Sequence, residues 1–198
     1  MNREDRAVTV TSHEEIYRCR VFRLEREQVV LGNGTEVSLD IIRHPGASAI
    51  LPLTSDGRLL MLRQYRHAVG GFIWEIPAGT LNPGEDPLAC AHRELAEETG
   101  FSARSMEKIG EITPLPGYSD ERIHLYVAAD LAPAEQRLDE DEWLHVEALP
   151  IGRVMEMVRE GAIQDGKTLC SLLFLEHGAG RNLHPAAVKR IRGETDAR

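Results

Sequence analysis

The 198-residue chain predicts an α+β fold. Three observations lead there. The first 45 or so residues carry short β-rich and alternating runs bounded by turn signals. Beyond them, strand-like runs are interleaved with segments of helical periodicity. The interleaving follows no regular βαβ repeat, and there are no internal repeats or low-complexity tracts.

In chain order, Val8-Thr9-Val10-Thr11 is short and β-forming, and Tyr17, Cys19 and Val21 alternate with polar neighbours. Leu31-Gly32-Asn33-Gly34-Thr35 is a hairpin signal, after which Val37, Leu39 and Ile41 resume the alternation. Residues 1–45 thus form a small β segment, too small to bury much alone, which calls for cover from the rest of the chain or from a second subunit. Ala49–Leu53 and Leu59–Leu62 flank Ser55-Asp56-Gly57 and predict another hairpin. Pro87 to Thr99 reads as a helix, with Pro in its first turn and Gly100 as its stop. Strands are expected near 106–113, at Ile123–Val127 and at Trp143–Val146, and helices at Ile151–Arg159 and Thr168–His177. Residues 46–180 make the main domain and 181–198 a C-terminal tail, polar from Arg192 onward.

Composition narrows the function classes. With 42% hydrophobic residues and no apolar run near the roughly 20 residues of a membrane span, the chain reads as soluble. The N-terminus MNREDRAVTV has no apolar signal-peptide core, so a cytoplasmic protein is expected, with no membrane partner. A net charge of −9, from 23 basic and 32 acidic residues, argues against nucleic-acid binding. It leaves room for a small anion, because a bound metal and a few local Arg residues reverse the field within one cleft. Cys19, Cys90 and Cys170 make neither a zinc spacing nor a disulfide framework.

The most specific segment is GTLNPGEDPLACAHRELAEETGF, residues 79–101. On the predicted helix, Glu94, Glu97 and Glu98 stand at i, i+3 and i+4, so three carboxylates share one face. Like charges on adjacent turns repel, and a divalent cation resolves the repulsion. Oxygen-only ligands select hard ions such as Mg²⁺ or Mn²⁺.

This segment resembles the signature of the Nudix hydrolases, enzymes that cleave nucleoside diphosphates linked to another moiety. Gly79, Glu85, Arg93, Glu94, Glu97, Glu98 and Gly100 fill the invariant positions, and Leu95 and Phe101 the apolar ones. At about one in twenty per position, seven matches arise by chance on the order of once in a billion starting points. The resemblance implies an α/β/α sandwich around a mixed sheet, with the signature as a loop-helix-loop. It implies Mg²⁺ or Mn²⁺ held by Glu94 and Glu98, with Glu97 as a further ligand or holding a metal-bound water, and the Ala78 carbonyl beside them. Arg93 and Glu85 are then expected to orient the ligand helix and its loop.

Three further segments are similar to the ADP-ribose pyrophosphatase branch: Gln64-Tyr65-Arg66 before Glu75–Gly79, Pro116-Gly117-Tyr118-Ser119, and Asp165-Gly166-Lys167-Thr168. Gly166 departs from that branch's Ala. The similarity implies a nucleoside diphosphate sugar as substrate, Arg66, Pro116 and Glu121 as substrate contacts, and a general base on the loop Leu138–Trp143. Glu142 is favoured for the base, with Glu140 next and Glu121 behind. It also implies a homodimer in which residues 1–45 take part. Arg23 and Arg26 alternate with Leu24 and are expected to point toward a partner's substrate, unless they are plain surface residues of the strand. Other substrates of the family (GDP-mannose, dinucleoside polyphosphates) and a non-catalytic ADP-ribose sensor are the alternatives.

Overall fold

The computed structural model describes residues 8–177, so the tail expected at 181–198 lies outside the described residues. Two compact units are present. The first holds strands β1 (Thr9–Arg18), β2 (Arg23–Val30) and β3 (Glu36–Arg43) in one antiparallel sheet of order β1-β2-β3, together with the segment Thr113–Arg122. The Gly34 turn joins β2 to β3 as expected, with Gly34 in a left-handed conformation that favours glycine. The start of the chain differs from the sequence reading. The runs at 8–11 and 17–21 are not separate strands. β1 is continuous, and the turn falls at Cys19–Phe22, where the Cys19 N–H donates to the Phe22 carbonyl at 3.0 Å. Every residue of β1 is exposed, so no alternation marks the strand; its pairing with β2 makes it one.

Ile42 donates its N–H to the Tyr118 carbonyl at 2.7 Å and accepts from the Asp120 N–H at 3.1 Å, which fastens segment 113–122 to β3. Arg43 adds ion pairs to Glu25, Glu27 and Asp120. Of this unit's hydrophobic residues only Val29 is buried among the described ones, and neither apolar cluster of the molecule includes any of them.

The second unit contains β4 (Ala47–Pro52), β5 (Arg58–Arg66), β6 (Gly71–Glu75), β7 (Ala78–Thr80), α1 (Pro87–Thr99), β8 (Phe101–Ile112), β9 (Ile123–Pro133), β10 (Leu144–Pro150), α2 (Ile151–Arg159) and α3 (Gly166–Glu176). A mixed sheet runs β7-β4-β9-β8, with β4 and β9 parallel, and a second antiparallel sheet runs β10-β5-β6. The hairpin expected across Ser55–Gly57 is only a turn. β4 and β5 meet at the single bridge Leu53–Leu59 and then enter different sheets, because β4 takes β9 and β7 as its neighbours. Both faces of β4 are buried, so its sequence, apolar but for Ser48, shows no alternation that would disclose its partner.

The alternation along β4 and β9 separates two cores. Ala49, Leu51, Leu125 and Val127 face one way, with Ile151, Val154, Leu172 and Leu175 of α2 and α3. Ile50, Tyr126 and Ala128 face the other, with Ala91 and Leu95 of α1. The mixed sheet is thereby sandwiched between α1 and the pair α2/α3, the α/β/α arrangement expected. Each fully buried Leu or Ile in these layers contributes roughly 1.5–3 kcal/mol. No described helix is long and apolar enough to cross a membrane.

Candidate active site

The signature segment is built as a rigid mount. Asp86 caps α1, its carboxylate accepting from the N–H groups of Leu88 at 2.9 Å and Ala89 at 3.2 Å, and Pro87 follows at the first helical position. Gly100, with φ 73°, closes the helix by donating its N–H to the Ala96 carbonyl. Leu95 and Ala91 bury one stripe of α1 against the sheet, which sets the glutamates of the next stripe beside β7.

Glu98 is 1% exposed and Glu94 7%. Glu98 Oε2 accepts from the Ala78 N–H at 2.8 Å. Burial pushes the Glu94 carboxyl up to about 7 and the Glu98 carboxyl well above the usual carboxylate range, and the negative charge of Glu94 adds to the effect on Glu98. Gly79 is sterically required. A Cβ there would overlap the Glu94 carboxylate, so only glycine lets that side chain lie against β7. Glu97 is more open, its side chain 39% exposed.

Arg93 is the hub of the mount. Its Nε and Nη2 engage Glu85 Oε1 and Oε2 at 2.8 and 2.9 Å, Nη1 reaches Glu94 at 2.5 Å and Glu97 at 2.9 Å, and Nη2 also meets the Thr80 carbonyl at 3.2 Å. The guanidinium hydrogen bond draws the Glu85 carboxyl down to about 2. One arginine thus ties the loop before α1 to the carboxylates on it.

Among the described residues, no three acidic, histidine or thiol side chains are already gathered at metal-binding geometry, since Glu94 and Glu97 are turned onto Arg93. The donor chemistry nevertheless fits a hard cation. Two buried carboxylates stand side by side with their charge opposed by burial, and the glycine cradle at 79 keeps space for one of them.

Residues 42–169 match the NUDIX domain. The chain belongs to the Nudix family. It is 40% identical over 165 residues to a methanol dehydrogenase activator of Bacillus methanolicus, covering 82% of this chain and 89% of that protein. It is 37% identical over 165 residues to an ADP-ribose pyrophosphatase of Bacillus subtilis, with the same coverage, and 33% identical over 169 residues to one of Mycobacterium tuberculosis, covering 82% and 80%. Among solved structures, an ADP compounds hydrolase superposes with a TM-score of 0.76 at 22% identity, covering 95% of this chain and 97% of that one, which supports the fold. This chain is accordingly a Nudix pyrophosphohydrolase.

Beside the Nudix helix lies a second charged assembly that the sequence reading did not resolve. Glu75, at the end of β6, has a side chain 1% exposed. It accepts Arg66 Nε at 2.8 Å and Nη2 at 3.2 Å, and also the Lys167 ammonium. Lys167 reaches Asp165 at 3.0 Å as well. Asp165 caps α3 by accepting the Thr168 N–H at 3.0 Å, and the Thr168 hydroxyl accepts the Ile76 N–H at 3.0 Å. Burial works against both cations, and the surrounding acids, Glu75 first and Asp165 with it, together outweigh it, so the pKa values of Arg66 and Lys167 are raised. The signal for this assembly was a lone acid in the apolar strand Phe72-Ile73-Trp74-Glu75-Ile76, because a charge there requires partners.

Other expected residues separate. Glu142 is half-buried and its carboxyl pKa is raised by burial, and its charge bears on both Glu94 and Glu98. Glu140 is exposed. Trp143 anchors the loop end, packing on Phe72 with ring centres 4.8 Å apart and accepting the Tyr65 N–H at 2.9 Å. Pro116 and Glu121 belong to the first unit, where Glu121 lies 3.7 Å from His44. Arg26, expected to face a partner, is held by Asp40 at 2.7 Å within its own sheet, and Arg23 lies 3.8 Å from Glu25.

Proposed function

We propose that the chain hydrolyses the pyrophosphate bond of ADP-ribose, or of a closely related nucleoside diphosphate sugar, giving AMP and a sugar phosphate, with Mg²⁺ or Mn²⁺ as cofactor. The observation that carries this reading is the pair of buried carboxylates, Glu94 and Glu98, held by Arg93 and cradled at Gly79. The Bacillus subtilis and Mycobacterium tuberculosis relatives supply the substrate class.

Glu94 and Glu98 would hold the cation, with Glu97 and the Ala78 carbonyl as the further donors. A bound divalent cation supplies counter-charge to the diphosphate oxygens and acidifies water. Arg93 keeps the ligand helix and its loop in register. Glu142 acts as general base. Burial raises its carboxyl pKa, and a more basic carboxylate suits a group that must take a proton from the attacking water. As that proton leaves, the water oxygen bonds to phosphorus and the bridging P–O bond breaks towards the sugar phosphate or the nucleotide. Arg66 offers a cation to the diphosphate, while Pro116 and Glu121 are assigned to substrate binding on the family resemblance.

The protein acts in the cytoplasm as a homodimer. Support for the dimer comes from the first unit: a three-stranded sheet in which, among the described residues, Val29 is the one buried apolar side chain, while Val8, Val10, Ile16 and Tyr17 are exposed. A second copy would cover such a sheet.

A panel of ADP-ribose, GDP-mannose and dinucleoside polyphosphates, run with and without EDTA and with products identified, tests the reading. The expected result is AMP and ribose 5-phosphate from ADP-ribose, abolished by chelator. Tight ADP-ribose binding without turnover would make the protein a sensor, and preference for another substrate would move it within the family.

A further inference from the structure

We propose that Lys167 is a positioning residue for diphosphate binding: through the buried carboxylate of Glu75 it holds the Arg66 guanidinium side-on, leaving Nη1 for a substrate oxygen. The inference rests on the reading of a diphosphate substrate above. Glu75 takes Arg66 by Nε and Nη2, the side-on grip of the fork. Among the described residues Nη1 has no acceptor, and the Arg66 side chain is 41% exposed although Glu75 is 1% exposed. The held edge of the guanidinium therefore lies inward and the open edge outward. Arg66 also lies within electrostatic reach of the catalytic carboxylates, its charge bearing on Glu142 and that of Glu98 on it.

A second cation fixes the carboxylate that makes this grip. Lys167, only 12% exposed, occupies Glu75 Oε2 from the α3 side, and Asp165, the cap of α3, anchors its ammonium at 3.0 Å. Without Lys167, Glu75 Oε2 would lose its ammonium partner and keep the Arg66 Nη2 contact at 3.2 Å. The carboxylate would then be free to turn, and the Arg66 fork paired with it would no longer hold Nη1 in one place. Lys167 so makes the start of α3 part of the substrate site without touching substrate. A purely structural Lys167 would only neutralise buried Glu75, and its loss would lower stability without specific effect on diphosphate binding.

The two roles separate in a double-mutant cycle on the full chain with Mg²⁺ and ADP-ribose, with Kd for inorganic pyrophosphate and melting temperature measured alongside. Arg66→Ala and Lys167→Met are each expected to raise KM and the pyrophosphate Kd about tenfold or more, the loss expected for a charged hydrogen bond, with kcat changed less than about threefold. Adding Lys167→Met to Arg66→Ala should cost less than about twofold more, and Lys167→Arg should recover most of the loss. If Lys167→Met does not fold, Glu75→Gln takes its place with the same expectations. Losses that multiply in the double variant, or a lowered melting temperature with KM unchanged, would overturn the proposal. A wild-type protein that binds pyrophosphate but turns over no nucleoside diphosphate would refute the hydrolase reading, while the cycle on Kd still decides the role of Lys167. No pyrophosphate binding would sink the relay as well.

Discussion

A methyl group at position 79 would occupy the place of the Glu94 carboxylate, and this gives the sharpest test at the scale of the residue. The backbone of Gly79 is not in the left-handed region, so Gly79→Ala strains nothing but the side chain it meets. It is expected to leave the fold intact and to cut metal-dependent turnover at least about tenfold, because a misplaced ligand costs rate. Unchanged kcat at saturating Mg²⁺ would remove Glu94 from the cation site. Glu98 tests the neighbouring ligand. Its pKa is raised by burial, so its unionised form is the one that the metal-free fold favours. Any stability it lends is complete at pH below the ordinary value and is lost as pH rises, leaving a buried charge as a cost at neutral pH. Glu98→Gln keeps the shape and the acceptor for the Ala78 N–H. It should raise the melting temperature in EDTA at pH 8 while lowering kcat with Mg²⁺ by roughly a hundredfold or more. Calorimetry and steady-state kinetics on one preparation read both.

At the scale of the element, the loop before α1 is tied down by the Arg93–Glu85 pair, with two hydrogen bonds of 2.8 and 2.9 Å. The Glu85 carboxyl sits at about 2 instead of 4.5, so the pair contributes fully above pH 4.5 and fades as pH falls towards 2. Urea unfolding should find Glu85→Gln about 1–2 kcal/mol less stable than wild type at pH 7, with the gap shrinking at pH 3. A gap independent of pH would show that shape and not charge is at stake. In the loop between β9 and β10, Glu142 is half-buried and its charge bears on Glu94 and Glu98, while Glu140 is exposed. Glu142→Gln is expected to reduce kcat about a hundredfold with metal affinity retained, and Glu140→Gln to stay within about twofold. The reverse order in single-turnover rates would transfer the base to Glu140.

For the whole molecule, the two units differ in how they are stabilised. The second has two apolar cores on either face of its mixed sheet, and the first has ion pairs, strand pairing and almost no apolar interior. A sheet of that kind is marginal by itself. Light scattering should give twice the 22.1 kDa of one chain, and a protein beginning at residue 46 should lose the dimer. A full-length monomer at micromolar concentration would end the dimer proposal.

The sequence by itself determined the α+β class, the limits of α1 and α2, and the identity of the glutamates on α1, because a helix carries its own period and its caps are local chemistry at Asp86, Pro87 and Gly100. It also contained the family signature in full. It did not disclose that β4 and β5 part company, that β1 runs unbroken to Arg18, or that Glu75 joins Arg66 to Lys167 across 92 positions of chain. Those features depend on which strands become neighbours and on what surrounds a charge once it is buried. Only the tertiary structure decided them, for the same reason that it set Glu142 apart from Glu140: desolvation and the fields of distant residues are properties of the packed molecule, and two neighbouring glutamates of one acidic loop carry no sign of them.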